Sequence, residues 1–247
     1  MPVHFHLNKI FLPLFLALVA STPVASMPME SVIDQTTSFL IRDWVIDPAF
    51  KGYNPPQVLS ISGGTKVYGG CGSFIHGDEV AGSAYCPVTN TIFLEPKQLS
   101  FFYRSFGPSS VAYVVAHEFA HAIQARYDEL KGGSEVELQA DCLAGVLINV
   151  GSTKLGITRK DTLQMAQAAY SIGDSSHGTG AQRTYALLSG MGVVKAGCSK
   201  KEMLALKNEQ IKDPAYRDLM TTRSGTAGID INKTPYPKNL GATSNGL

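Results

Sequence analysis

Ser109-Ser-Val-Ala-Tyr-Val-Val-Ala-His-Glu-Phe-Ala-His-Ala-Ile123 is the stretch on which the fold turns. Val111, Val114, Val115, Phe119, Ala122 and Ile123 recur at helical spacing. Ser109 or Ser110 can cap a helix that runs to about Leu130, where Gly132-Gly133 ends it. Inside it, His117-Glu118-Phe119-Ala120-His121 is HExxH. A spacing of four sets both imidazoles on one helix face, where they can share one zinc ion. Glu118 lies beside them, positioned to take a proton from metal-bound water. The bland alternative is a pair of buried helical histidines.

A zinc hydrolase site needs a third protein ligand and an open fourth position. The next helix, from about Ser134 to Asn149, offers Glu137-Leu-Gln-Ala-Asp141. Glu137 and Asp141 share a face, so Glu137 can ligate while Asp141 accepts the spare imidazole N–H of His117 and fixes its ring. Ser134-Glu-Val-Glu137 also fits a capping box, which gives Glu137 a competing structural role. A third histidine at HExxHxxGxxH spacing is excluded, because Gln124 and Tyr127 occupy those positions.

Working outward, residues 28–46 carry Val32, Phe39, Leu40, Trp44 and Val45 as a short amphipathic helix, and Asn54-Pro55-Pro56 breaks the chain before the first strand. Gln57–Ser62 alternates as that strand. Ser83–Cys86 and Thr91–Leu94 are short β runs joined by Pro87-Val-Thr-Asn90 as a hairpin. Past the second helix, a third follows Thr158 through Ile172, a Gly/Ser loop spans 173–180, a helix lies near 181–189, and Ser199-Lys-Lys-Glu202 caps one more. The last residues, from about 221 to 247, are rich in Gly, Thr, Ser, Asn and Pro and read as a poorly ordered tail. The organisation expected is a leader over 1–26, a helical extension over 27–56, one domain over 57–220, and that tail.

The 247 residues hold 21 Lys and Arg against 20 Asp and Glu, with 44% hydrophobic and 17% charged content. That is the composition of a globular protein, and near-zero net charge argues against nucleic acid or an acidic membrane as the main partner. Residues 1–26 carry Lys9 and then the apolar run Ile10–Ala20, too short for the roughly 20 residues of a spanning helix. With Val24-Ala25-Ser26 as a cleavage site, the segment reads as a secretory signal, and the mature chain has no membrane span. Cys71, Cys86, Cys142 and Cys198 lack the CxxC spacing of a structural zinc site. In an exported chain they read as two disulfides. Three pairings are open; Cys71–Cys86 with Cys142–Cys198 is favoured because the first pair brackets a β-hairpin.

The run Val114-Val-Ala-His-Glu-Phe-Ala-His121, then Glu137-Leu-Gln-Ala-Asp-Cys142, then His177-Gly-Thr and Gln182-Arg183, resembles the neutral zinc metallopeptidases of the YpfJ type. Tyr85-Cys86-Pro87 and Ile92-Phe-Leu94 resemble that family's hairpin ahead of the zinc helix. The resemblance covers about residues 57–200. It departs at Ala120, where glycine is expected, and at Ala122, where a third histidine is. It implies zinc bound by His117, His121 and Glu137, with Glu118 catalytic and Cys142 paired with Cys198. The matching loop makes His177 a candidate to stabilise a developing oxyanion, with Arg183 and Tyr185 as alternatives.

The fold expected is α+β, zincin-like and mostly helical, with a small mainly antiparallel sheet and two active-site helices. Thr91–Leu94, thinly covered, would bind substrate backbone by strand addition. The function expected is exported, zinc-dependent hydrolysis of peptide or protein substrates. Two alternatives stay open: an exported binding protein with a structural or vestigial zinc site, and a zinc hydrolase of non-peptide amides.

Overall fold

A computed structural model describes residues 27–61, 66–68, 74–76 and 82–225. Residues 1–26, read above as a leader, Cys71 and the residues after Gly225 lie outside the described residues. The chain is α+β, with eight described α-helices against short strands.

The strands come first. β1 (Gln57–Ser60) pairs in parallel with β5 (Thr91–Leu94), and β4 (Ala84–Cys86) pairs antiparallel on β5's other side. β2 (Lys66–Tyr68) and β3 (Phe74–His76) form a separate antiparallel ribbon. The order β1-β5-β4 makes the main sheet mixed and puts β5 at its centre, with all four residues buried. The expectation that Thr91–Leu94 offers a thinly covered binding edge is therefore corrected: among the described strands the edge on that side is β4. A parallel partner 34 residues upstream, at Gln57↔Thr91, leaves no hairpin signature.

The helices build the body around α3 (Pro108–Arg126) and α4 (Ser134–Leu155). Every residue of α3 from Ser109 to Ala120 is buried. A helix apolar or small on all sides belongs in the middle of a fold, and α1 (Met29–Ile46), α2 (Pro96–Phe106), α4 and α5 (Arg159–Ser171) all pack on α3. Val32, Phe39 and Leu40 of α1 join Val111, Val115 and Phe119 in one core cluster, so α1 is a wall of that core. Neither Ser109 nor Ser110 caps α3. Gly107, at φ 100°, is the N-cap and Pro108 opens the helix. The serine hydroxyls turn inward, Ser109 to the Asp161 carboxylate and Ser110 to the Gly107 carbonyl. At its other end α3 stops at Arg126, short of Leu130, where Asp128 takes a left-handed conformation.

Helix α4 outruns Asn149 and ends at Gly156, a left-handed C-cap. Capping boxes start α5 at Thr158, α6 (Gly180–Gly190) at Thr179 and α7 (Lys200–Lys207) at Ser199. α2 and α8 (Pro214–Thr222) begin at Glu95-Pro96 and Asp213-Pro214, where an acidic side chain accepts backbone N–H groups ahead of a proline. α8 carries the chain past residue 221, and a Cβ at Gly225 would lie 2.4 Å from the Ala166 carbonyl oxygen.

A covalent bond and a close helix–helix contact lock α4 in place. Cys142 is joined to Cys198, which leads into α7, across 56 residues. In the chain-entropy model such a loop gives about 4 kcal/mol. Cys86 is also disulfide-bonded, and its expected partner Cys71 lies outside the described residues. Along α6, glycine lets two helix backbones touch: a Cβ at Gly190 would sit 1.8 Å from the Cys142 carbonyl oxygen, and one at Gly145 would sit 2.3 Å from that of Leu187. No described helix is long and apolar enough to cross a membrane. Gly190→Ala must push α6 off α4. Urea denaturation should show a loss of about 1–3 kcal/mol, the usual cost of overpacking, whereas an unchanged midpoint would mean that the helices separate freely.

Candidate metal centre

His117 and His121 project from one face of α3, and Glu137 reaches them from the first turn of α4. The two Nε2 atoms are 3.2 Å apart; Glu137 Oε2 is 3.3 Å from His117 Nε2 and Oε1 is 3.6 Å from His121 Nε2. One ligand atom from each lies within 4.8 Å of the others, a donor set able to hold a metal ion.

The two roles open to Glu137 separate cleanly. The N-cap of α4 is Gly133, with no side-chain cap bond, and Ser134 is already helical. Reverse capping falls to Glu135, whose Oε1 accepts from the Gly133 N–H at 3.0 Å while Oε2 takes Lys207 Nζ at 2.5 Å. Relieved of capping, Glu137 turns to the histidines. Burial alone would raise its pKa, but hydrogen bonding to the two imidazoles outweighs that and holds the carboxyl well below the usual range.

Asp141, one turn along α4, is fully buried and accepts from three sides. Its Oδ1 takes His117 Nδ1 at 2.8 Å, the Tyr113 hydroxyl at 2.5 Å and Arg183 Nη2 at 2.9 Å; Oδ2 takes Arg183 Nε at 2.8 Å. The bond from His117 is the one expected from the sequence. Arg183 and Tyr113 in these roles are not, because α6 meets α4 only in the fold. Burial would raise Asp141, but Arg183 and His117 bring it down to about 2. Burial also holds the Tyr113 phenol protonated, as a donor. For His117, burial works downward and is overcome by Asp141 and Glu137, which raise it to about 10. A metal ion entering here displaces protons.

Glu118 faces the same space. Its carboxyl is buried and raised above the usual range by that burial, against the pull of both imidazoles. His117, Glu118, His121 and Glu137 line a cavity of about 910 Å³, walled on one side by Ala84 and Tyr85 of β4.

His177 lines that cavity from the α5–α6 loop. The loop closes on itself through a bridge between Asp174 and Gly178. Asp174 Oδ1 accepts the backbone N–H groups of Ser176 and His177, each at 2.7 Å, and Oδ2 meets His177 Nδ1 at 2.8 Å. These bonds, the His177 backbone N–H foremost, hold Asp174 well below the usual carboxylate range. Nε2 of a half-exposed imidazole is left for whatever enters. Asp174 is a site residue that the sequence does not single out; a carboxylate three residues before a loop histidine is the available signal. Tyr185 is not at the cavity, since its hydroxyl donates to Asp213 on the far side of α6. Arg183 is at the cavity wall, engaged by Asp141.

The chain is 30% identical over 181 residues to uncharacterized proteins of Mycobacterium tuberculosis and Mycobacterium bovis, covering 57% of this chain and 60% of theirs. It is 30% identical over 146 residues to the uncharacterized protein YpfJ of Escherichia coli, covering 50% of this chain and 48% of that one. It is similar to YpfJ over half its length. The chain spans about half to three-fifths of the curated relatives it matches. No family model and no solved structure matches.

Asp141 makes acid stability a direct readout of this network. Its folded-state pKa near 2 lies below the ordinary 3.8, so the stabilisation it supplies is present above about pH 4 and is lost as pH falls towards 2. Unfolding free energies measured over that window should fall for the parent and fall less for Asp141→Asn. At neutral pH, Arg183→Met should cost about 3–5 kcal/mol, because it strands a buried carboxylate.

Proposed function

We propose that the chain is an exported zinc-dependent peptidase. The observation that carries the reading is a buried glutamate, Glu118, set beside two imidazoles and a carboxylate that converge on one point at the wall of a large cavity.

The donor set suits zinc. Ligand atoms about 2.0–2.1 Å from a tetrahedral ion stand about 3.3 Å from one another, close to the 3.2, 3.3 and 3.6 Å separations among His117, His121 and Glu137. Two nitrogens and one oxygen leave a fourth position, the pattern of a catalytic site; a structural site is closed by four protein ligands. Zinc held there supplies Lewis acidity, drawing the pKa of bound water towards 7 and polarising a carbonyl oxygen.

The protein's own groups do the rest. Glu118 accepts the proton of the attacking water, and burial that raises its pKa makes it a better base than an exposed carboxylate. It then has a proton to deliver to the departing amine. Asp141 keeps the His117 ring oriented. His177, steadied by Asp174, reaches towards the carbonyl oxygen as negative charge builds there. β4 favours peptides over other amides: among the described strands it is the edge strand on the cavity wall, where an extended backbone can add in register. The Cys142–Cys198 disulfide supports an oxidising compartment, and with it export.

Glu118→Gln should retain about one zinc per chain and lose cleavage of a mixed peptide library, since it removes the base and spares the ligands. Full activity in that variant rules out the assigned role. Glu137→Ala should lose zinc and activity together. Ser134→Ala should change neither, because Ser134 makes no capping bond; a Glu137→Ala protein that holds zinc like the parent moves the third ligand elsewhere.

A further inference from the structure

His121 is held by a chain of groups separate from the Asp141 network. Its Nδ1 lies 2.8 Å from Gln124 Oε1. Gln124 Nε2 donates to the Val136 carbonyl at 2.8 Å and to Gln139 Oε1 at 2.9 Å. Gln139 Nε2 in turn donates to the Glu129 carboxylate at 2.8 Å and to the Cys198 carbonyl at 3.2 Å. Gln124 is completely buried and Gln139 nearly so.

The polarity of this chain is set at its far ends. The carbonyls of Val136 and Cys198 and the Glu129 carboxylate can only accept, so both amide nitrogens must face them. That turns the Gln139 oxygen to Gln124 and the Gln124 oxygen to His121. An oxygen there requires a proton on Nδ1, so in the neutral ring that a metal ion binds, the lone pair is on Nε2, on the side of His117 and Glu137. A flipped Gln124 would set its oxygen against two acceptors, the Val136 carbonyl and Gln139 Oε1.

We infer that Gln124 and Gln139 are positioning residues for the metal ligand His121. They fix its tautomer and ring plane through a relay anchored on the backbone of the disulfide-linked Cys198. The inference rests on the proposed metal site. The same disulfide therefore braces both histidines: Cys142 follows Asp141, which holds His117, and Cys198 ends the relay that holds His121.

The test measures zinc affinity by competition with a chromophoric chelator, well below the unfolding temperature, together with the visible spectrum of the cobalt-loaded protein. Gln124→Leu should bind zinc about 10- to 100-fold more weakly, the usual consequence of losing a group that orients a ligand, and should alter the cobalt bands. Gln139→Leu should weaken zinc less, in the same direction. Gln182→Leu is the control: it removes a similarly buried amide, bonded to the Leu206 and Lys207 carbonyls and touching no ligand. It should lower the melting temperature and leave zinc affinity and the cobalt spectrum unchanged. Parental affinity and spectrum in folded Gln124→Leu would overturn the inference. If that variant does not fold, Gln139→Leu decides, weakened zinc supporting the relay and parental zinc overturning it. A parent protein that takes up no zinc overturns the proposed function itself, an outcome distinct from a parent that binds zinc and variants that bind it equally well.

Discussion

The Asp141 carboxylate, with no exposure to solvent, ties the consecutive helices α3 and α4 to α6, whose Arg183 lies 42 residues further along the chain. α3 contributes Tyr113 and His117, α4 contributes Asp141, and α6 contributes Arg183. Removing a carboxylate and a guanidinium from water is expensive, and the pair is sustainable only when hydrogen bonds occupy their remaining capacity. Here Oδ1 accepts three hydrogen bonds and Oδ2 one. The cost of breaking the arrangement is therefore larger than its net contribution to stability. What it supplies above all is uniqueness, since α3, α4 and α6 have one relative placement in which all these groups are satisfied.

That placement makes the cavity. Small residues let α4 and α6 approach closely enough for Arg183 to reach Asp141, with Gly190 against the Cys142 carbonyl and Gly145 against that of Leu187. Cys142, next to Asp141, is tied to the start of α7, and Lys207 at the end of α7 returns to Glu135 in the first turn of α4. The end of α4 that carries Glu137 is thus held from several sides before it meets the histidines. A rigid support of this kind suits a site in which ligand atoms must sit within tenths of an ångström of one another.

Much of this was legible in the chain. HExxH inside an independently helical pattern placed His117, Glu118 and His121, and spacing placed Glu137 and Asp141 on one face. Local signals also located α5 and α7, where Thr158 and Ser199 cap as read. Where a local signal had two physical solutions, packing chose between them. Ser134-Glu-Val-Glu137 satisfies a capping box on paper, yet Gly133 is the cap and Glu135 takes the reverse bond. Thr91–Leu94 looked like an edge because its parallel partner β1 is distant in sequence. Arg183 was read only as an alternative to His177; its bond to Asp141, the role of Tyr113 and the glutamine pair could not be assigned, because they exist only once α3, α4 and α6 are packed. Gln124 was visible only as the residue at the glycine position of HExxHxxGxxH, with Tyr127 where the third histidine would stand.

The central claim, that two imidazoles and one carboxylate converge to hold a catalytic zinc, is tested most directly by X-ray absorption of the zinc-loaded protein. The account predicts a shell of nitrogen and oxygen at about 2.0–2.1 Å, outer-shell scattering from two imidazoles, and no sulfur. A sulfur shell at about 2.3 Å, or scattering from one imidazole or three, would contradict it.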